Sequence, residues 1–379
     1  MKYFKGAKII TEDKIVENHV FGFDKNISEI TSENEFSKKN IPAVDARGLY
    51  IAPGLIDGHI HGSGGQDAMY ATPEAIRTIS TYVAKNGVTG FLGTTMTMSW
   101  DRVTKALDQI RESMKEELPG AQLLGAHIEG PFISSKFKGA QNEEYILNPE
   151  WDLIEPYKDI AKIIALAPEL PGAIDFIQEL KKHKIVASLG HTSATYEEAM
   201  KGIEAGVSHC THLFNAMTGI HHRNAGAAVA ALSSDINCEL IADKIHVHYG
   251  LFEFIRKAKG ADRINLITDC IEAGGMEDGK YALGGQAVFV KDGSARLEDG
   301  TLAGSILHLN EGVLNFFENT NIELHDAFKL SSLNLAKELG IDDRKGSLTV
   351  GKDADFCLID KDFNVKATYV MGKCVYKCI

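Results

Sequence analysis

No stretch of this sequence approaches the about 18 consecutive apolar residues that a membrane-spanning helix needs. Its first segment, MKYFKGAKIITEDKIVENHV, lacks the apolar centre of a secretory signal. Cysteine is sparse and unpatterned. The six thiols (Cys210, Cys238, Cys270, Cys357, Cys374 and Cys378) form no C-x-x-C pair, and the Cys374/Cys378 spacing is unlike a common zinc knuckle. A disulfide framework is therefore excluded, and reduced thiols in a cytoplasmic protein are the expectation. Positive charge is in deficit, with 40 Lys and Arg against 52 Asp and Glu, a net charge of −12. That balance argues against nucleic acid or an anionic membrane as partner, since either would need cations facing its phosphates. There is no internal repeat and no low-complexity segment. With 44% hydrophobic and 24% charged residues, the composition is that of an ordered globular chain.

At 379 residues the chain exceeds the usual single core, so one large barrel with an appendage, or two domains, is expected. Both ends read as short alternating strands. Segments 3–11 and 16–23 are broken by the polar cluster at Thr31-Ser-Glu-Asn, and 354–360 precedes a hairpin through Tyr369-Val-Met, Gly372-Lys373 and Cys374-Val-Tyr. Isolated hairpins are marginal, so residues 1–50 and 347–379 are expected to combine into one small β-sandwich domain.

The span between them, 51–346, alternates short apolar runs with longer amphipathic ones, the signature of βα units. Eight strands are expected at 50–57, 88–95, 121–127, 160–167, 185–189, 207–212, 237–242 and 263–268. Helices are expected at 73–86, 101–117, 172–182, 196–205 and 251–259, several introduced by Ser or Thr at the N-cap. Eight strands predict an α/β fold closed as a (β/α)₈ TIM-type barrel. The Gly-rich stretch 274–304, with alternation at Ala287-Val-Phe-Val, predicts a β-hairpin insertion near 280–300.

A barrel of this kind builds its active site at the carboxyl ends of its strands. His59 and His61 follow the first expected strand, Glu129 the third, His191 the fifth, His212 the sixth, His246 the seventh and Asp269 the eighth. With 14 histidines in the chain, His59-x-His61 is weak evidence alone, and His246-x-His248 repeats the spacing. Recurrence of metal-ligand types at strand ends 1, 3, 5 and 6 is stronger, and Glu129, His191, His212, His59 and His61 are the expected ligands. Imidazole with carboxylate suits a divalent metal, Zn²⁺ first, with Fe²⁺ or Mn²⁺ as alternatives. His127 is expected behind the ligands, supporting them. Asp269, delivered by the apolar run Leu266-Ile-Thr, suits a general base that later acts as acid. Arg223, in the loop 215–226, is a candidate anion clamp, because guanidinium matches phosphate bidentately.

Seven segments carry a further signal: Ala52-Pro-Gly-Leu-Ile-Asp-Gly-His-Ile-His-Gly62, His127-Ile-Glu-Gly-Pro-Phe132, Gly190-His-Thr-Ser-Ala194, Thr211-His-Leu-Phe-Asn-Ala-Met217, Ala242-Asp-Lys-Ile-His246, Thr268-Asp269 and Leu302-Ala-Gly-Ser305. In this order they resemble the N-acetylglucosamine-6-phosphate deacetylase branch of the amidohydrolase superfamily. Gly346-Ser-Leu-Thr-Val-Gly-Lys-Asp-Ala-Asp355 is similar to that superfamily's return to its small β domain. The resemblance implies hydrolysis of an amino-sugar phosphate acetamide in amino-sugar catabolism. It implies Glu129, His191 and His212 as the main metal ligands, with a second ion at His59 and His61 so that one or two ions bind per subunit. It implies Asp269 as acid/base, with Asn215, Ala216, Arg223 and His246 holding the sugar phosphate. Ala140, Gln141, Leu302, Ala303 and Gly304 match other substrate-lining positions, although Gln141 stands where other members carry His. A homodimer is implied, with part of the phosphate site contributed across the interface.

Three alternatives stand beside this. A cyclic amidohydrolase would bridge its metals with a carboxylated Lys after strand 4, where this chain has Ala165-Leu-Ala-Pro168. A deacetylase for N-acetylgalactosamine 6-phosphate differs in one hydroxyl of the substrate. A non-catalytic barrel acting as a binding module would be marked by absence of bound metal.

Overall fold

The computed structural model describes residues 1–378. Its centre is a sheet of eight parallel strands: β1 (Leu55–Ile60), β2 (Val88–Thr94), β3 (Gln122–Glu129), β4 (Ala161–Leu166), β5 (Val186–Leu189), β6 (His209–Cys210), β7 (Asn237–Ile241) and β8 (Ile264–Ile267). Each pairs with its sequence neighbours. These strands are largely buried on both faces, which is why most of them read in the sequence as mainly apolar runs.

Amphipathic helices cover the outside. Pro73–Ala84 starts at Thr72, whose hydroxyl accepts from Ala75 N, has Pro at its first turn and buries Ile76, Ile79 and Val83. Tyr196–Ala205 opens with a reciprocal capping box between Thr195 and Glu198. Among the described residues, no helix is long and apolar enough to cross a membrane.

The cylinder closes between β8 and β1, and it does so at their carboxyl ends. Asp269 N donates to His59 O and His61 N to Cys270 O, both at 2.9 Å. At the amino ends the two strands part. Ile56 N and Leu266 N donate instead to Ser331 O and Leu330 O, each at 2.7 Å. Leu335 and Ala336, on the helix Leu333–Glu338, then pack with Ile56, Leu92, Ile163 and Val186 to plug the floor.

The chain ends form two sheets. One joins the strands Lys2–Lys5, His19–Phe23, Ile27–Ser32 and Val44–Asp45; the other joins Lys8–Ile10, Ile15–Val16, Tyr50–Pro53, Phe356–Ile359, Val365–Val370 and Lys373–Lys377. Aromatic rings fill the space between them, with Phe23 and Phe356 at 4.8 Å and Phe356 stacked on Tyr369 at 4.5 Å between centroids.

Three local expectations change. The strand expected at 50–57 is two strands, because Tyr50–Pro53 pairs with Lys8–Ile10 and Phe356–Ile359 before Gly54 redirects the chain into β1. A Cβ at Gly54 would lie 2.3 Å from the Thr89 hydroxyl, so only glycine fits the crossing. The sixth strand is two residues long rather than six. The insertion is a three-stranded antiparallel meander (Gly279–Leu283, Gln286–Lys291, Ser294–Arg296) instead of a hairpin, its third strand too short to read from alternation.

Candidate active site

Six side chains from five strand ends converge at the closed rim of the barrel. Glu129 ends β3, and His191 and His212 follow β5 and β6 by two residues. The Nε2 atoms of His191 and His212 lie 3.0 and 3.1 Å from Glu129 Oε1 and 3.1 Å from each other. His59 and His61, at the end of β1, present Nε2 atoms 3.4 and 3.2 Å from Asp269 Oδ1. Glu129 faces both groups, since its Oε2 lies 3.3 Å from His61 Nε2 and its Oε1 lies 3.5 Å from His59 Nε2. All six residues are buried.

The buried charges at the site act on one another. Burial would raise the Glu129 carboxyl, but His59, then His191 and His212, hold it well below its ordinary range. Burial works against a charged His59 as well. There Glu239, Asp269 and Glu129 prevail and hold it at about 9. Asp269, raised by burial and lowered more by His59 and His61, also stays below the usual carboxylate range. His127 goes the other way, with burial and then His59 taking it down to about 3. Its neutral ring packs edge-on against His59 at 4.4 Å and bonds Gly58 O at 3.0 Å.

This donor set fits a divalent cation. Two imidazole nitrogens converge 3.1 Å apart on one carboxylate oxygen, and the wholly buried His59 Nε2 has no hydrogen-bond partner. A buried nitrogen left unsatisfied is costly. Imidazole and carboxylate donors within 4.8 Å of one another are what zinc, iron or manganese binds.

Backbone strain concentrates here as well. His212, Phe214, Ala216 and Asp269 all have positive φ (25°, 77°, 49° and 50°), conformations that non-glycine residues adopt at a cost and that cluster at functional sites. Asp269 is fixed by the bond from its N–H to His59 O and by Ser305 N donating to its carbonyl at 2.7 Å.

Above the cluster opens a cleft of about 180 Å³. Of the residues expected to touch substrate, Ala140, Gln141, Asn215, Ala216, His246, Leu302 and Gly304 line it, joined by Met96, Leu283 and Thr301. His246 is aimed by Asp243, whose carboxylate bonds its Nδ1 at 2.6 Å. The meander contributes Leu283 and is tied to the cleft by Gln286 donating to Ala140 O.

Two expected residues are not brought to the cleft. Ala303 is wholly buried behind it, its N–H bonded to Ala295 O at 3.0 Å. Arg223 lies exposed on the loop after β6, against His222. Gln141 is at the cleft, but its amide is engaged elsewhere: Nε2 donates to Glu129 Oε2 at 2.6 Å and Oε1 accepts from Thr97 N at 2.7 Å. It therefore orients the Glu129 carboxylate in this structure. Sequence reasoning missed Glu239, a wholly buried carboxylate on β7 that bonds His59 Nδ1 at 3.0 Å. The available signal was an ionisable residue inside the apolar run Cys238-Glu-Leu-Ile-Ala242.

Comparison with known proteins shows the family of the chain. The amidohydrolase family model matches residues 50–375. The chain is 41% identical to the N-acetylglucosamine-6-phosphate deacetylase of Bacillus subtilis (strain 168), covering 98% of this chain and 96% of that one. The crystal structure of the N-acetylglucosamine-6-phosphate deacetylase from Pasteurella multocida superposes with a TM-score of 0.93 at 32% identity, covering 98% and 99% of the two chains. A mutant of the deacetylase from Mycobacterium smegmatis, solved in complex with N-acetyl-D-glucosamine-6-phosphate, superposes with a TM-score of 0.92 at 26% identity over 99% of each.

Proposed function

This chain belongs to the amidohydrolase family, and from that premise we propose a metal-dependent deacetylase that hydrolyses N-acetyl-D-glucosamine 6-phosphate to acetate and D-glucosamine 6-phosphate in amino-sugar catabolism. The observation that carries the reading is Glu129 facing His191 and His212 with one oxygen and His61 with the other, Asp269 alongside, at the base of the cleft. The mycobacterial neighbour in complex with that sugar phosphate supports the choice of substrate.

In this reading Glu129, His191 and His212 hold the principal ion, and His59 and His61 with Asp269 favour a second. Zn²⁺ is the first choice, ahead of Fe²⁺ or Mn²⁺. The ion supplies Lewis acidity toward the acetamide carbonyl and toward water. Asp269 then takes a proton from the attacking water and returns it to the nitrogen as the C–N bond breaks, so that acetate and the free amine leave. His246, held by Asp243, orients the sugar, and Asn215, Ala216 and the Leu302–Gly304 turn line it. Gln141 acts through Glu129.

The phosphate falls to Arg223. Its exposed position outside the cleft of its own chain, in a loop where Ile220 is exposed as well, supports a homodimer in which Arg223 reaches the neighbouring cleft. Residues 51–346 act as the catalytic barrel and 1–50 with 347–379 as its supporting β domain, in a cytoplasmic enzyme. The galactosamine substrate is not favoured by these relatives, and a non-catalytic barrel does not account for an intact ligand set.

The test is acetate release from N-acetylglucosamine 6-phosphate and N-acetylgalactosamine 6-phosphate, with elemental analysis of the same protein. Turnover of the first with bound metal is expected. Metal-loaded protein that turns over neither sugar phosphate refutes the reading, and preference for the second overturns the assigned configuration.

A further inference from the structure

Glu239 is the one acid in the interior of β7, and no water reaches it. Its Oε2 accepts from two groups, the ring Nδ1–H of His59 and the backbone N–H of His212, each at 3.0 Å. Its main-chain carbonyl accepts from Leu213 N at 2.9 Å. On its other side Oε1 lies 3.1 Å from His209 Nε2. The opposite nitrogen of His209 lies 2.9 Å from both oxygens of Glu338, which also accepts from Asn265 at 2.9 Å. Glu338, His209, Glu239 and His59 thus form a buried file of ionisable groups from the plugged floor of the barrel to its catalytic rim, in which His209 and Glu239 meet as an ion pair and not through a hydrogen bond.

A carboxylate is costly in such a place and is kept where its partners compensate it. Two features say what it does. With Nδ1 engaged by Glu239, Nε2 is the ring nitrogen left to face Glu129 and Asp269, and it is the one that a bound metal would take. His212 has a strained backbone, φ 25°; its own N–H and that of Leu213 are both bonded to Glu239, once to the side chain and once to the main chain. Glu239 does not line the cleft and bonds neither Glu129 nor Asp269.

We propose that Glu239 is a positioning residue joining the two halves of the metal centre, fixing the tautomer of His59 in one and the backbone turn at His212 in the other. The inference rests on the metal-dependent reading. Partners that orient metal-bound histidines in this way typically change metal affinity by about 10- to 100-fold when removed.

The experiment titrates metal-free wild-type protein and Glu239→Gln with Zn²⁺ against a chelator, and records the visible spectrum of the Co²⁺-substituted forms. The one amide oxygen of Gln can still accept from both His59 and the His212 N–H, but it carries no charge, and an NH2 group takes the place of the oxygen that faces His209. Metal affinity is expected to fall by about 10- to 100-fold, with an altered cobalt spectrum. A variant whose affinity and cobalt spectrum match the wild type overturns this inference alone. A wild-type protein that binds no metal overturns the metal-dependent reading with it. Nitrogen NMR of ¹⁵N-histidine-labelled, metal-loaded wild type needs no variant to fold. It should show His59 protonated at Nδ1 and slow to exchange; a ring protonated at Nε2 overturns the proposal.

Discussion

Replacing Asp269 by Asn tests the proton-transfer step with little disturbance of shape. Asp269 has φ 50°, a conformation Asn tolerates as well as Asp. The bonds from its N–H to His59 O and from Ser305 N to its carbonyl belong to the main chain, so the substituted residue stays in place. The carboxylate is held below its usual range by His59 and His61 and is ready to accept a proton; the amide is not. General acid–base catalysis contributes about 10²- to 10⁴-fold, equivalent to about 2.7–5.5 kcal/mol of barrier. The expected loss is in kcat, with KM changed by no more than about threefold, because a step made only in the transition state is removed. The assay is initial-rate acetate release at saturating sugar phosphate. Asp269 Oδ1 also stands 3.2 Å from His61 Nε2, so bound metal per subunit is measured in the same preparations. Equal kcat at equal metal content refutes the role. A loss of kcat that vanishes when metal content is restored would make Asp269 a residue of metal retention only.

Gln141→Leu removes a charge-assisted bond to Glu129 and orphans Thr97 N. At about 1.5–3 kcal/mol for a hydrogen bond to a charged group, metal affinity in a chelator competition should fall by about 10- to 100-fold, and an unchanged affinity counts against the clamp. Gly304→Ala would put a Cβ 2.8 Å from the Asp269 carbonyl oxygen at a φ of 61°; kcat should drop by more than tenfold, with the barrel still folded by circular dichroism. His209 sets a limit at alkaline pH. Burial lowers it, but Glu338 and Glu239 overcome that and hold it at about 10, above the ordinary 6.5 of histidine. Its stabilisation is therefore fully present below pH 6.5 and lost as pH rises through about 10. The Tm of metal-free protein should fall across that window, and His209→Gln should lack that part of the profile.

Strand ends were legible in the sequence, and side-chain pairing was not. Parallel strands buried on both faces leave continuous apolar runs, so β2, β4, β7 and β8 are found within about two residues, and the ligand-type residue just past each run is conspicuous. Where the strand is short the rule fails. β6 keeps two residues because the chain turns through a positive φ at His212 to aim its ring, and nothing in Cys210-Thr-His announces that turn. The division at Gly54 had a visible marker, since Pro-Gly punctuates regular structure, but the apolar residues on both sides outweighed it. Gln141 and Glu129 are 12 residues apart, with a loop between them, and Glu239 is 180 residues from His59. Such contacts follow from closure of the barrel rather than from local pattern. Ala303 lies between two residues that line the cleft and still faces away from it, since neighbours in an extended turn point to opposite sides.

The seam between β1 and β8 explains why half of the site is where it is. Asp57 spans it, its carboxylate accepting from the Thr268 hydroxyl at 2.6 Å and from the His59 and Thr268 N–H groups at 3.3 Å. Burial pushes this carboxyl up to about 6 in spite of those bonds, so the seam holds an acid that costs stability when ionised. Below it the strands separate around Leu330 and Ser331; above it the bonds at His59, His61 and Asp269 draw them together. His59, His61 and Asp269 therefore owe their approach to the last main-chain bonds that close the cylinder, while Glu129, His191 and His212 lie at or just past the ends of β3, β5 and β6, which pair with neighbours on both sides. A substitution that loosens the seam, such as Thr268→Val, should separate Asp269 from Glu129 and leave the Glu129, His191 and His212 group intact. In the two-ion form of the proposed function, metal content would then fall toward one ion per subunit with the Tm lowered by only a few degrees. Loss of all metal from a folded Thr268→Val protein would show that the two groups are not mechanically separate.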